Sequence, residues 1–196
     1  MKIFKFFTNY DKEEEWLQAM AKKGYELESV FFRYKFHKVP SEDALIRIDY
    51  RTFKNKKDFL DYCTLFEDSG WKHLAGTKNS GTQYFKKISA IDEDIYSDSM
   101  SKAGKYKRSS KMWFTLAVIF VLIESSTGNI NTLINPKLLY LTPGLWERTG
   151  ATFWSAFWFE TPFALFRGIS GFIIPLVAFF FAYKAHKLYV ETRERA

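Results

Sequence analysis

Three histidines (His37, His73, His186), one cysteine (Cys63) and an acid run (Asp11, Glu13, Glu14, Glu15) are the residues from which this chain could build a reactive or metal-binding centre. Their spacing does not assemble one. The zinc and redox motifs that a sequence makes legible place ligands about a turn apart, as in HxxxH, HExxH or CxxC, and none of these occurs. The acids fall in the first turn of a helical pattern, where they complement the helix dipole. GxGxxG and GxxxxGKS are both missing, so a nucleotide site has no support. The expectation is no catalytic residue, no metal, no cofactor and no enzymatic activity. One pair of charges is more telling. Glu124 and Arg167 each lie within an apolar stretch, about 20 and 25 Å along a helix from Lys111 and Lys184. In an antiparallel hairpin they would share a depth, and an acid and base inside a membrane are costly unless they face each other or a polar cavity. The competing reading has both side chains snorkelling to the outer interface. Ala164, Gly168 and Gly171 would let helices approach closely there.

Charge placement says where such a hairpin would sit. Residues 1–98 hold equal numbers of basic and acidic residues, so the net charge of +7 comes from elsewhere. It comes from Lys102, Lys105, Lys107, Arg108 and Lys111 before the first apolar stretch, and from the segment after the second, which begins with Lys184 and Lys187. Basic residues flanking spanning helices mark the cytoplasmic side, so both termini are expected in the cytoplasm and the connection outside. Nucleic acid is not an expected partner, because the polar half has no excess positive charge to offer. Trp113, Trp146, Trp154 and Trp158 cluster near the ends of the apolar stretches, at the level where amphipathic rings suit the bilayer interface. A lone cysteine fits a reduced compartment. The first residues lack the apolar core of a signal peptide, and none is expected.

Those residues must be carried by two different kinds of structure. Residues 1–90 contain a repeat with an offset of 46. Asp11–Lys23 reads as a helix ending at Gly24 before the strand-like YELESVFF, and Asn55–Ser69 reads as a helix ending at Gly70 before WKHLAG. Strand-like runs precede each helix (Lys2–Thr8, Leu45–Thr52) and follow each pair (Arg33–Val39, Thr82–Ile88). The expected class is α+β, a tandem βαββ related to ferredoxin-like folds, with helices on one face of an antiparallel sheet. Trp16, Met20, Phe59 and Phe66 are expected core residues. A basic juxtamembrane helix follows over 91–111, with Asp98 or Ser99 as its cap. The membrane region spans 112–183: a first span at about 112–132, an outer interfacial segment at about 133–160, and a second span at 162–183 with Thr161 as cap, Pro162 at its first position and a kink expected at Pro175. Residues 184–196 form a basic cytoplasmic tail.

The blocks KFFTNYDKEEEWLQAMAKKGYELESV, FEDSGWKHL and DIYSDSMSKAGKYKR resemble those of the bacterial domain-of-unknown-function family 2812, over roughly residues 2–110. That resemblance implies a membrane protein of a Gram-positive bacterium, often encoded beside PadR-like regulators, and it brings no catalytic residues with it. The expected function is a membrane-anchored protein whose cytoplasmic domain interacts or senses in a regulatory or envelope-stress role, with the lipid bilayer and a protein as partners. An accessory or immunity component of a transporter is the alternative, and an enzyme with a ligand cavity in the α+β domain is a third.

Overall fold

The computed structural model describes residues 1–89, 94–126 and 131–194, with the backbone alone for Leu133. Residues 127–130, expected within or just beyond the first span, lie outside the described residues, as does position 195 of the second basic segment. The chain divides into two compact units, Met1–Ser110 with Tyr183–Ala196, and Lys111–Ala182.

The repeat is built as two copies of β-α-β-β. The first is β1 (Lys2–Ile3), α1 (Tyr10–Lys22), β2 (Tyr25–Val30) and β3 (Tyr34–Lys38); the second is β4 (Ile46–Tyr50), α2 (Lys56–Asp68), β5 (Trp71–Ala75) and β6 (Thr82–Lys87). Asn9 and Asn55, 46 apart, start the helices in the same way. The Asn9 side chain accepts from the Asp11 and Lys12 amides, and that of Asn55 from Asp58. Gly24 and Gly70 end them at φ +79° and +80°, the left-handed conformation that glycine adopts without strain. A Cβ at Gly24 would also lie 2.8 Å from the Val39 carbonyl oxygen.

One antiparallel sheet was expected, and the structure has two. Their orders are β1-β3-β2 and β4-β6-β5, each antiparallel throughout with its last strand in the middle. The edge strands β2 and β5 are neighbours, but each is interrupted at the same repeat position, between Leu27 and Ser29 and between His73 and Ala75. Such irregularities twist an edge away from a partner and end a ladder. Side chains join the sheets instead, with Glu26 accepting from Lys72 at 3.2 Å and Lys86 at 2.8 Å.

The helices do not share one face either. One core gathers Leu17, Met20 and Ala21 of α1 with Leu27, Phe36, Ile46, Ile48 and Tyr84, so it draws on both sheets. A second gathers Tyr62 and Cys63 of α2 with Trp71 and Phe85. Successive residues Tyr84 and Phe85 of β6 therefore serve opposite faces, as strand alternation requires, and the second sheet is covered on both sides. Met20 is buried, as expected; Trp16, Phe59 and Phe66 are partly buried at the margins of these cores.

Two long helices follow. α3 (Ser99–Ser126) starts where Asp98 accepts from the Ser101 amide at 2.5 Å. After the short α4 (Asn131–Ile134) and two 3₁₀ turns at Pro136–Leu139 and Leu145–Glu147 comes α5 (Gly150–Glu194). Both α3 and α5 are long and apolar enough to cross a membrane. Only 11% and 17% of their most apolar windows are buried, unlike the core helices of a soluble fold. The expected start of the second helix at Thr161–Pro162 is corrected. α5 begins at Gly150, with Pro162 and Pro175 both inside it, and Thr161 spends its hydroxyl on the Phe157 carbonyl at 2.7 Å. Its 45 residues span about 68 Å, roughly twice the hydrocarbon thickness of a bilayer.

Candidate functional site

The acids at the start of α1 do more than complement its dipole. Glu13 and Glu14 are buried, at 3% exposure each. Glu13 accepts from the hydroxyls of Tyr34 on β3 and Tyr84 on β6, both at 2.7 Å, so one carboxylate ties the two sheets together. Glu14 accepts from the Ile48 amide at 3.0 Å and from the Lys105 ammonium at 2.7 Å. Lys105, on α3, has no exposed surface. Its ammonium also reaches Asp11 at 3.1 Å and lies 5.4–5.8 Å from the ring centres of Tyr10, Tyr96 and Tyr106. Carboxylates on one side and aromatic faces on the other are what a desolvated cation requires.

One turn further along α3, Arg108 donates to the Tyr50 carbonyl and to Asp49, which also accepts from Tyr62 at 2.9 Å. Tyr106 donates to Asn9 at 3.0 Å, and Tyr10 to Ser109 at 3.0 Å, with the two tyrosine rings stacked 5.2 Å apart. No buried side-chain polar atom among the described residues lacks a partner. The first turns of α3 are thus clamped to α1 and β4 by charge, hydrogen bonds and rings.

Burial pushes the Glu13 carboxyl above its usual range, against the pull of the two tyrosine hydroxyls. Glu14 is likewise raised by burial, with Lys105 opposing. At Asp11 burial also pushes upward, but Lys105 and Lys102 outweigh it and the carboxyl lies below its usual range. A carboxyl raised in the folded state contributes its stability below the unfolded pKa and loses it as pH rises through the folded one. Glu13→Gln stays neutral and can still accept from both tyrosines. Its stability relative to the natural chain is therefore expected to improve as pH rises from about 4 to 7, read from urea midpoints across that range. A relative stability that falls with pH would contradict the buried-carboxylate account.

Of the basic residues expected to flank the membrane, Lys105 and Arg108 are therefore committed to protein carboxylates. Lys102 lies 3.7 Å from Asp11, Lys107 lies over the Tyr189 ring at 5.8 Å, and Lys187 faces Glu191 at 3.8 Å. Lys111 and Lys184 are exposed.

In the second unit, Glu124 and Arg167 line one cavity of about 400 Å³ with Leu139, Ser170 and Gly171. Arg167 donates to the Leu139 carbonyl at 3.0 Å and to Glu160 at 2.8 Å. Glu160 is buried and also accepts from the backbone and hydroxyl of Thr142 and from the Leu141 amide. Tyr140 stacks on Phe157 at 5.2 Å. This staple of residues 139–142 onto α5 has no sequence signature beyond the spacing of Glu160 and Arg167. Arg167→Gln and Glu160→Gln are expected to be non-additive by about 0.5–3 kcal/mol in thermal unfolding on nanodiscs. An additive cycle would dissolve the pair. The parallel Glu124–Arg167 cycle measures what the cavity adds.

Among the described residues no group of histidines, cysteines and carboxylates is placed to hold a metal ion. A family model of proteins of unknown function, DUF2812, matches residues 9–118. The chain belongs to the DUF2812 family. No curated protein and no solved structure matches. The DUF2812 segment begins at Asn9, the cap of α1, and ends at Val118, inside the apolar part of α3. Every pair of the clamp, from Asn9 to Ser109, falls inside it, so the start of α3 belongs to the DUF2812 module and not to a linker behind it.

Proposed function

We propose that this protein is membrane-anchored, with both termini in the cytoplasm, and that its α+β domain is an interaction or sensory module joined to the bilayer through α3. The observation that carries this reading is the clamp. Lys105 and Arg108 hold α3 to α1 and β4, and the same helix continues through apolar sequence to Ser126. A shift of that helix must move Lys105, fully buried against Glu14, and the half-exposed Arg108 against Asp49, which supports a coupling between the helix and the domain. On this reading the domain takes a protein partner and the protein serves a regulatory or envelope-stress role, in the Gram-positive bacterium that the family resemblance implies. The βαββ order of each repeat supports a relation to ferredoxin-like folds.

The test is amide exchange over residues 9–50 of the full chain, in nanodiscs of short-chain and long-chain lipid. Exchange is expected to differ between the two discs, and the difference to shrink when Arg108, the more exposed member of the clamp, is replaced by methionine. Equal exchange in both discs would remove the coupling. Impermeant thiol reagent on intact cells tests the topology, since a cysteine at Asn79, in the exposed turn before β6, must stay unlabelled. The alternative role beside a transporter is favoured by one observation, the charged cavity lined by Glu124 and Arg167 in the apolar unit.

A further inference from the structure

The turn between β2 and β3 is Phe31-Phe32-Arg33, with none of the glycine, proline, asparagine or aspartate that a tight turn ordinarily uses. Phe31 is 88% exposed and Phe32 76%, with their ring centres 4.5 Å apart. Two solvated phenylalanines side by side at a hairpin tip form an exposed apolar surface outside the domain's cores. Cations surround them. A shallow cavity of about 340 Å³ at the tip is lined by Lys2, Ser29, Phe31, Phe32, Arg33 and Lys35, with no acid among them. Lys2 and Lys35 are direct cross-strand partners of β1 and β3. Like charges in that position repel, and Glu28, which pairs with Lys35, answers only one of them. The register also brings the end of β1 to the tip, where the next residue, Phe4, is 75% exposed.

We propose that this tip is a bilayer contact: the phenylalanines enter the headgroup boundary and Lys2 and Arg33 take anionic headgroups. Exposed aromatic rings ringed by cations have the chemistry of interfacial membrane binding, and the cytoplasmic leaflet supplies the opposite charge. The domain's balanced charge over residues 1–98 argues against nucleic acid as the occupant. The proposal rests on the membrane reading above for the tether, which raises the effective concentration of the surface, and for the cytoplasmic side of the bilayer.

The test places a nitroxide at Phe31→Cys in a Cys63→Ala background, with the full chain in nanodiscs of phosphatidylcholine alone or with one third phosphatidylglycerol. Collision with a water-soluble nickel complex is expected to fall in the anionic discs and to be restored by high salt. Lys2→Gln and Arg33→Gln should each weaken the immersion about fivefold. Amide exchange of residues 28–36 in the unsubstituted chain gives the same comparison without relying on the labelled variant. A tip equally accessible to nickel in both discs overturns the proposal, as does equal immersion in both, or protection that follows protein concentration instead of lipid charge. A chain that fails to co-elute with discs at all counts against the membrane reading instead.

Discussion

Lys105→Met is expected to destabilise the protein by about 3–5 kcal/mol, the cost of stripping one partner from a buried ion pair. Methionine fills the volume but leaves Glu14 with the Ile48 amide and an Arg47 guanidinium 3.6 Å away as its remaining support. Of its two lysines, Asp11 keeps the more distant Lys102. The loss should shrink as pH falls, because Glu14, already raised by burial and then raised further, can take a proton and cease to be a bare charge. Pairing the change with Glu14→Gln should recover much of the deficit, since both ends of the contact are then neutral. Urea unfolding of the four variants at two pH values reads all of this at once. A deficit that is the same at pH 5 and pH 8 would show that packing, not charge, holds α3 to the domain.

Phe85→Ala should cost about 3–5 kcal/mol, as expected for a fully buried aromatic ring. Phe85 is 0% exposed, with Phe66, His73 and Tyr62 rings at 4.5, 5.1 and 5.7 Å, so its loss opens a cavity beneath α2. Against a typical total of about 5–15 kcal/mol, such a loss brings the domain near its limit. The signature is a lower thermal midpoint with the near-ultraviolet aromatic signal lost before the far-ultraviolet one. A cost below about 1 kcal/mol would mean that α2 does not seal that face of the second sheet.

Local chemistry was readable and long-range pairing was not. Two helices ending at glycine, 46 residues apart, announced the repeat, because caps and periodicity are properties of neighbouring residues. The split into two sheets turned on matched irregularities at Leu27–Ser29 and His73–Ala75, which leave no mark on alternation. The stretch 150–160 reads as interfacial because it is aromatic and because Thr161 and Pro162 follow at positions that suit a helix start. The helix simply runs through that proline. The acids of α1 looked like ordinary helix-start residues because their counter-ion is 91 positions away from Glu14. Lys105 in turn looked like one more juxtamembrane base. Only the packed chain reveals that each was the other's reason.

That separation sets an order of events during synthesis. Every strand of both sheets, and Glu14 with them, is synthesised before Lys105. Closure of the domain then waits for the helix that continues into apolar sequence, so the last step of its folding falls next to the synthesis of that apolar segment. Stalled chains ending at 98 should be cut readily by protease within the first ninety residues, while chains whose residue 110 has cleared the exit tunnel should resist.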